Sequence, residues 1–291
     1  MPADQRRVAF AQNFLRRPEL AARIVDIAGI APTDLVVEIG PGRGILTEPL
    51  AARGRQVLAV EKDPVLAARL GRRFADAPNV AVFAFDFLDF PLPVTPYTVV
   101  ANIPFNRTAA IVGKLVSGCS PPEAAYLLMQ REAAERFLGA PRATLPAALL
   151  HPWFEAAVAH RFRPDDFSPP PAVATVLLGM RRRRAPLVAL ADRDAFDDLV
   201  THAFTAWKPT VRDALAATLP RRAIAAAERG AAIDLGRPPS AVPVAAWPGI
   251  FAALRDASGD VTVAVRGARA RLERQQADLR KVHRTRVSAR S

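Results

Sequence analysis

The 291 residues are 51% hydrophobic, enough to bury one large core, or a medium domain beside a smaller one. Lys and Arg number 40 against 28 Asp and Glu, and the formal charge of +12 favours an anionic partner, nucleic acid ahead of an anionic membrane. The single cysteine, Cys119, excludes an intrachain disulfide and a cysteine-built metal cage, and no apolar run reaches the roughly 18 residues of a membrane span. Residues 1–17 are charged throughout and lack the apolar stretch of a secretory leader. A cytoplasmic monomer that holds no metal and engages no membrane is expected.

In chain order, Pro18 and Glu19 open a helix with Leu20, Ile24, Val25 and Ile27 as its apolar stripe, and Gly29 ends it. Residues 35–39 are an apolar strand. A glycine-rich turn follows, then a helix to about Arg53 that Gly54 caps. Residues 57–60 form a second strand ending at Glu61. The next helix has Asp63 as N-cap and Pro64 at its first position. A third strand covers 80–84, prolines 91, 93 and 96 mark a loop, and a fourth strand covers 97–101. A helix over about 108–116, a fifth strand over 124–129 and a helix over 132–137 follow. The segments 156–162 and 172–180 read as an antiparallel pair at the end of the sheet. Strands alternating with helices imply a mostly parallel sheet covered on both faces.

Four arginines, Arg181 to Arg184, then Ala185 and Pro186 mark a change of composition. Residues 1–184 are therefore expected as a catalytic domain and 185–255 as a small helical domain, with amphipathic stretches at 194–206, 211–219, 221–229 and 245–254. Residues 256–291 are rich in arginine and poor in large apolar side chains. They are expected to be a basic tail, mostly disordered on its own.

Open α/β sheets bind ligands at the carboxyl ends of their strands, and here four consecutive strand ends carry polar or small groups. The first gives Gly40-Pro41-Gly42-Arg43-Gly44, where glycines let the backbone turn and approach a ligand without a Cβ in the way. The second gives Glu61, a bidentate acceptor suited to both hydroxyls of a ribose. A dinucleotide-binding protein would share these features, but its G-x-G-x-x-G fingerprint would need a glycine where Ile45 stands. An adenosine cofactor without phosphates fits better, namely S-adenosylmethionine. The third strand end gives Asp86, an acceptor for an adenine amino group or a plain turn-former, and Phe87, which can pack on the adenine ring. The fourth gives Asn102-Ile103-Pro104-Phe105. An exocyclic amine is a poor nucleophile because its lone pair is delocalised. The Asn102 side-chain oxygen and the Ile103 carbonyl could take its two N–H groups, with Pro104 fixing the turn and Phe105 stacking on the base.

These motifs, with Gln12-Asn13-Phe14-Leu15, Glu38-Ile39 and Phe167-Ser168-Pro169-Pro170-Pro171, resemble the rRNA adenine N6-dimethyltransferases. Among them the sequence is most similar to the erythromycin-resistance (Erm) enzymes of 23S rRNA. The resemblance implies a Rossmann-like, S-adenosylmethionine-dependent methyltransferase sheet with a small C-terminal all-helical domain. It implies cofactor contacts from Gln12, Asn13, Leu15, Gly40, Gly42, Glu61, Asp86, Phe87 and Asn102. It implies that Asn102, Ile103, Pro104, Phe105 and Phe167 hold the target adenine, Phe167 as a second stacking face. The implied partner is 23S rRNA near the drug site of the exit tunnel, and the implied outcome is macrolide, lincosamide and streptogramin B resistance.

Three other readings compete. The 16S rRNA dimethyltransferases of ribosome biogenesis share the motifs, but more typically carry Leu where Ile103 stands. A nucleic-acid-binding factor on the same fold could have lost methyl transfer. A DNA adenine methyltransferase shares the Asn-x-Pro-aromatic chemistry but predicts neither the Gln12 motif nor the helical appendage. Arg6, Arg7, Arg16, Arg17, the 181–184 run and the tail are candidate phosphate contacts.

Overall fold

A computed structural model describes residues 14–118, 120–257 and 261–288. Gln12, Asn13, Arg6, Arg7 and Cys119, singled out above, lie outside the described residues. The chain divides into two compact units. One runs to Glu135 and resumes over Phe154–Arg183; the other comprises Arg136–Trp153 and the residues from Arg184 onward.

The first unit is built on a seven-stranded sheet. Its strands are β2 (Leu35–Ile39), β3 (Gln56–Glu61), β4 (Val80–Ala84), β5 (Thr98–Asn102), β6 (Ala124–Gln130), β7 (Phe154–Arg161) and β9 (Thr175–Arg182). The order is β4-β3-β2-β5-β6-β9-β7. Strands β4 through β6 in that order pair in parallel, and β9 and then β7 add antiparallel, as the sequence pattern predicts. All five residues of β2 are buried, which is why the run is continuously apolar apart from Glu38. The chain winds outward from β2 through β3 to β4, then crosses to the other side of β2 to form β5. The crevice between the ends of β2 and β5 is thus a topological switch point.

Helix α1 (Pro18–Ala28) starts with proline at its first turn and ends at Gly29, whose φ of 65° closes the helix with N–H bonds to Val25 and Asp26. Helix α2 (Thr47–Arg53) follows the glycine turn. In α3 (Pro64–Arg73) the Asp63 carboxylate accepts the N–H groups of Val65 and Leu66, the expected N-cap. Helix α4 (Thr108–Ser117) follows β5. A two-residue ribbon pairs β1 (Phe14–Leu15) antiparallel with β8 (Phe167–Ser168), so Leu15 faces Phe167 across it.

The second unit is helical. It contains α6 (Leu145–Leu150), α7 (Arg193–Thr205), α8 (Val211–Ala216), α9 (Arg221–Ala231), α10 (Trp247–Ala257), α11 (Val261–Val265) and α12 (Ala268–Ser288), while the boundary between the units falls within α5 (Arg131–Leu138). Two expectations need correcting. The division near residue 184 is present, but 136–153 belong with the helical unit and not with the sheet. Ala147, Ala148 and Leu150 are buried, Ala143 N–H bonds the Ser240 carbonyl, and the Arg193 guanidinium lies 4.6 Å from the Trp153 ring centre. Nor are the described residues 265–269 of the tail without fixed contacts. Val265 and Ala268 are buried, and the Asp198 carboxylate of α7 accepts the N–H groups of Gly267 and Arg269 at 2.6 and 2.9 Å. A carboxylate from elsewhere in the chain thus caps α12, which a local composition argument does not register. Among the described residues no helix is long and apolar enough to cross a membrane.

Candidate functional site

The site begins where β2 ends. Gly40 has a φ of +66°, and its N–H bonds the Val60 carbonyl of β3 at 2.9 Å. A Cβ at Gly40 would stand 3.7 Å from the carbonyl oxygen of Asn102, so the turn after β2 and the end of β5 meet here. Gly44 has a φ of +83°, which strains any side chain, and a Cβ there would lie 2.7 Å from the Leu70 side chain and 2.9 Å from that of Phe74, so both would have to shift.

Glu61 is 2% exposed at the end of β3. One carboxylate oxygen accepts the N–H of Gly42 at 3.0 Å and the other accepts the N–H of Asp63 at 2.9 Å. Burial raises its pKa above the ordinary carboxylate value; the N–H groups of Asp63, Gly42 and Lys62 oppose that rise and the Asp63 charge adds to it. With the Lys62 N–H also bonded to it, the carboxylate keeps one acceptor position for a ribose hydroxyl.

Glu38 is 1% exposed, one strand over. Burial pushes its carboxyl up to about 8; the hydrogen bond donated by the Thr47 hydroxyl at 2.6 Å works against this and the Glu61 charge adds to it. The neutral form of Glu38 is thereby favoured near pH 7, which leaves the Asp63 carboxylate as the acid acting on Glu61.

Asp86 follows β4. One of its oxygens accepts the Leu88 N–H at 3.1 Å, forming a turn, and the other accepts Lys62 Nζ at 2.6 Å and Arg107 at 3.3 Å. Burial acts to raise its pKa, but the Lys62 and Leu88 hydrogen bonds and the Arg107 charge outweigh it and hold the carboxyl below its usual value. The turn-forming reading of Asp86 is thus realised, and an adenine amino group would share the carboxylate with two cations. Phe87 is buried. Lys114 of α4 sits 5.1 Å from its ring centre and donates to the carbonyls of Phe87, Leu88 and Phe90, which locks the loop after Asp86.

Gly40, Glu61, Asp86, Phe87 and Pro104 line one cavity of about 200 Å³. Lys62, Phe85, Asn106, Arg107 and Ile111 line it too and were not singled out by sequence. For Lys62, Phe85 and Asn106 the signal was adjacency to a motif residue. Lys114 offered a different one, the lone charge in the otherwise apolar 108–117 stretch. Asn102 is half-buried at the end of β5, Ile103 is 2% exposed with its N–H toward the Leu128 carbonyl at 3.4 Å, and Phe105 opens a short 3-10 turn. Leu15 is buried in the hydrophobic core and does not line the cavity.

Phe167 requires a correction. It is 1% exposed, packed in the core with Leu15, Val100, Tyr126 and Leu128, its ring centre 5.5 Å from that of Phe162. Pairing of β8 with β1 turns it inward, so it presents no open face to a base. The arginine run is also largely engaged within the first unit. Arg182 pairs with Glu123, Arg183 with Glu155 at 2.8 Å, and Arg181 lies over the Tyr126 ring; Arg17 pairs with Asp166.

A doubly wound sheet with a glycine turn, a strand-end carboxylate and an Asn-x-Pro-aromatic turn along one edge defines a Rossmann-like methyltransferase. The family model of ribosomal RNA adenine dimethylase matches residues 3–255. An rRNA adenine N-6-methyltransferase of Corynebacterium diphtheriae is 39% identical over 195 residues, covering 67% of this chain and 76% of that protein. A ribosomal RNA small subunit methyltransferase A of Synechococcus sp. is 36% identical over 238 residues, covering 78% of this chain and 84% of that protein. The crystal structure of 23S rRNA methyltransferase ErmE is similar with a TM-score of 0.75 at 32% identity, covering 83% of this chain and 99% of that one. The chain belongs to the ribosomal RNA adenine dimethylase family.

Proposed function

We propose that this chain transfers methyl groups from S-adenosylmethionine to the exocyclic amine of an unpaired adenine in 23S rRNA. One observation carries the reading: a single cavity at the strand ends joins Gly40, Glu61, Asp86, Phe87 and Pro104, and the Gly40 turn abuts Asn102. The residues fit the cofactor. Glu61 has an acceptor position left for a ribose hydroxyl, and Ile39, Val60, Phe85, Phe87 and Ile111 supply apolar walls for an adenine ring. When bound, S-adenosylmethionine supplies an electrophilic methyl group.

The chain's own part is positioning and hydrogen bonding. The Asn102 side-chain oxygen and the Ile103 carbonyl take the two amine hydrogens and draw the lone pair out of the ring's conjugation. Pro104, with φ −60° and ψ 127°, holds that turn extended before the 3-10 turn begins. The amine becomes acidic once alkylated, so its proton can pass to solvent and no strong base is required. The target base has to leave its stack to reach such a cavity.

Similarity to ErmE over 99% of that structure and to the Corynebacterium diphtheriae relative supports 23S rRNA, as does Ile103 in the fourth motif. The Synechococcus relative, named for the small subunit and matched over a longer span, favours 16S rRNA as the second reading. Primer extension on 23S and 16S rRNA from cells expressing the protein tests the choice. Stops or pauses at an adenine of 23S rRNA, with macrolide resistance, are expected; stops on 16S rRNA alone move the assignment to ribosome biogenesis. Absence of radiolabelled methyl in either RNA defeats both and leaves a binding factor.

A further inference from the structure

Packing within the helical unit does not account for Trp207. It follows Ala206, the C-cap of α7, and is 97% exposed, whereas Trp153 and Trp247 are 4% and 0% exposed. Its φ of 54° places a bulky side chain in the left-handed region that glycine usually fills after a helix. The residue therefore strains its backbone and buries no apolar surface in return. Strain of this kind gathers where a side chain must be presented to something else.

The surroundings suit a polyanion. Lys208 is exposed next to it, and no carboxylate pairs with Lys208 among the described residues. The acids that follow next in the chain are engaged, Asp213 by the Thr210 hydroxyl at 2.6 Å, and Glu228 and Asp234 by Arg212 at 2.5 and 3.1 Å. The Arg237 carbonyl accepts the Val211 N–H at 2.9 Å, so a second exposed cation starts beside the same turn. The whole chain carries +12.

We propose that Trp207 is a stacking platform for an unpaired base of the RNA, with Lys208 and Arg237 as phosphate contacts beside it. This rests on the RNA-substrate reading and adds a contact outside the catalytic cavity. An indole offers the largest π-face of any side chain, and stacking on it tolerates any base, so the contact would add affinity without dictating sequence.

The test uses the full-length protein and its own fluorescence, because Trp207 is the exposed one of its three tryptophans. The probes are an RNA hairpin with an unpaired loop, a blunt duplex of the same stem, and vesicles of phosphatidylcholine with phosphatidylglycerol. The hairpin should quench emission and shield it from acrylamide, the duplex should do neither, and Trp207→Ala should abolish the quenching and weaken hairpin binding roughly ten-fold. Trp207→Gly, which relieves the left-handed backbone, should melt no lower than wild type yet bind the hairpin as weakly as Trp207→Ala. If wild type binds and methylates RNA while both variants bind equally well, the platform is refuted and the substrate reading survives. If wild type binds no RNA, both fall. A blue shift with the vesicles and no response to the hairpin overturns the proposal in favour of a membrane surface.

Discussion

The Glu61 carboxylate, at the end of β3, accepts the backbone N–H of Gly42, in the turn after β2, at 3.0 Å. Its other oxygen accepts the N–H of Asp63 at 2.9 Å. One buried side chain therefore fixes two strand-end turns at once. The turn that approaches the ligand and the acceptor that would recognise it are not independent parts.

Glu61→Gln separates these roles. An amide has one acceptor oxygen, so one of the two N–H groups would face an NH₂ group in a buried site. Unfolding in urea should show a loss of about 1–3 kcal/mol. Calorimetric titration should show S-adenosylmethionine binding at least roughly ten-fold weaker, or about 1.4 kcal/mol. Unchanged affinity would remove Glu61 from the cofactor site.

Asn102→Ala should leave cofactor binding within roughly ten-fold and lower methyl transfer roughly a hundred-fold or more, the scale of losing one preorganised hydrogen bond to reacting atoms. Single-turnover transfer from labelled cofactor measures the first quantity against the second. Equal losses in both would make Asn102 a binding residue only.

Glu38 makes stability depend on pH. Its carboxyl titrates at about 8 in the folded protein against 4.5 for the ordinary group, because burial disfavours the charge. Between those values the folded state holds a proton that the unfolded chain has lost. The contribution is complete below pH 4.5, declines as pH rises and is gone above about 8. The limiting slope for one proton is about 1.4 kcal/mol per pH unit. Glu38→Gln, neutral at every pH, should flatten this part of the profile and gain on wild type as the solution becomes alkaline. Parallel thermal melts across that range check it; identical profiles would show that Glu38 ionises normally.

Asp198→Ala removes the acceptor of the Gly267 and Arg269 N–H groups. A loss of about 1–2 kcal/mol is expected, as for a deleted helix cap. Amide exchange should accelerate over 261–271 while the sheet stays protected. Unaltered exchange there would mean that α12 is held by something else.

The features legible in the chain were those set by neighbouring residues. The apolar run of β2, the glycines of the following turn, the Asp63 cap and the polar strand ends at Glu61, Asp86 and Asn102 all follow from periodicity and local backbone preference. Parallel pairing followed from helices alternating with strands, and with it the edge along which those residues had to lie.

Contacts between residues far apart in the chain were decided only in three dimensions. The β1–β8 ribbon turned Phe167 into the core, Asp198 drew residues 267–269 of the basic tail onto α7, and Glu123 and Glu155 took up Arg182 and Arg183. Lys114 became the clamp on the loop after Asp86 for the same reason. A charge or an aromatic ring in a sequence states what it needs, a partner or a cover. Which distant residue provides it depends on how the whole chain closes, and that carries no local signal.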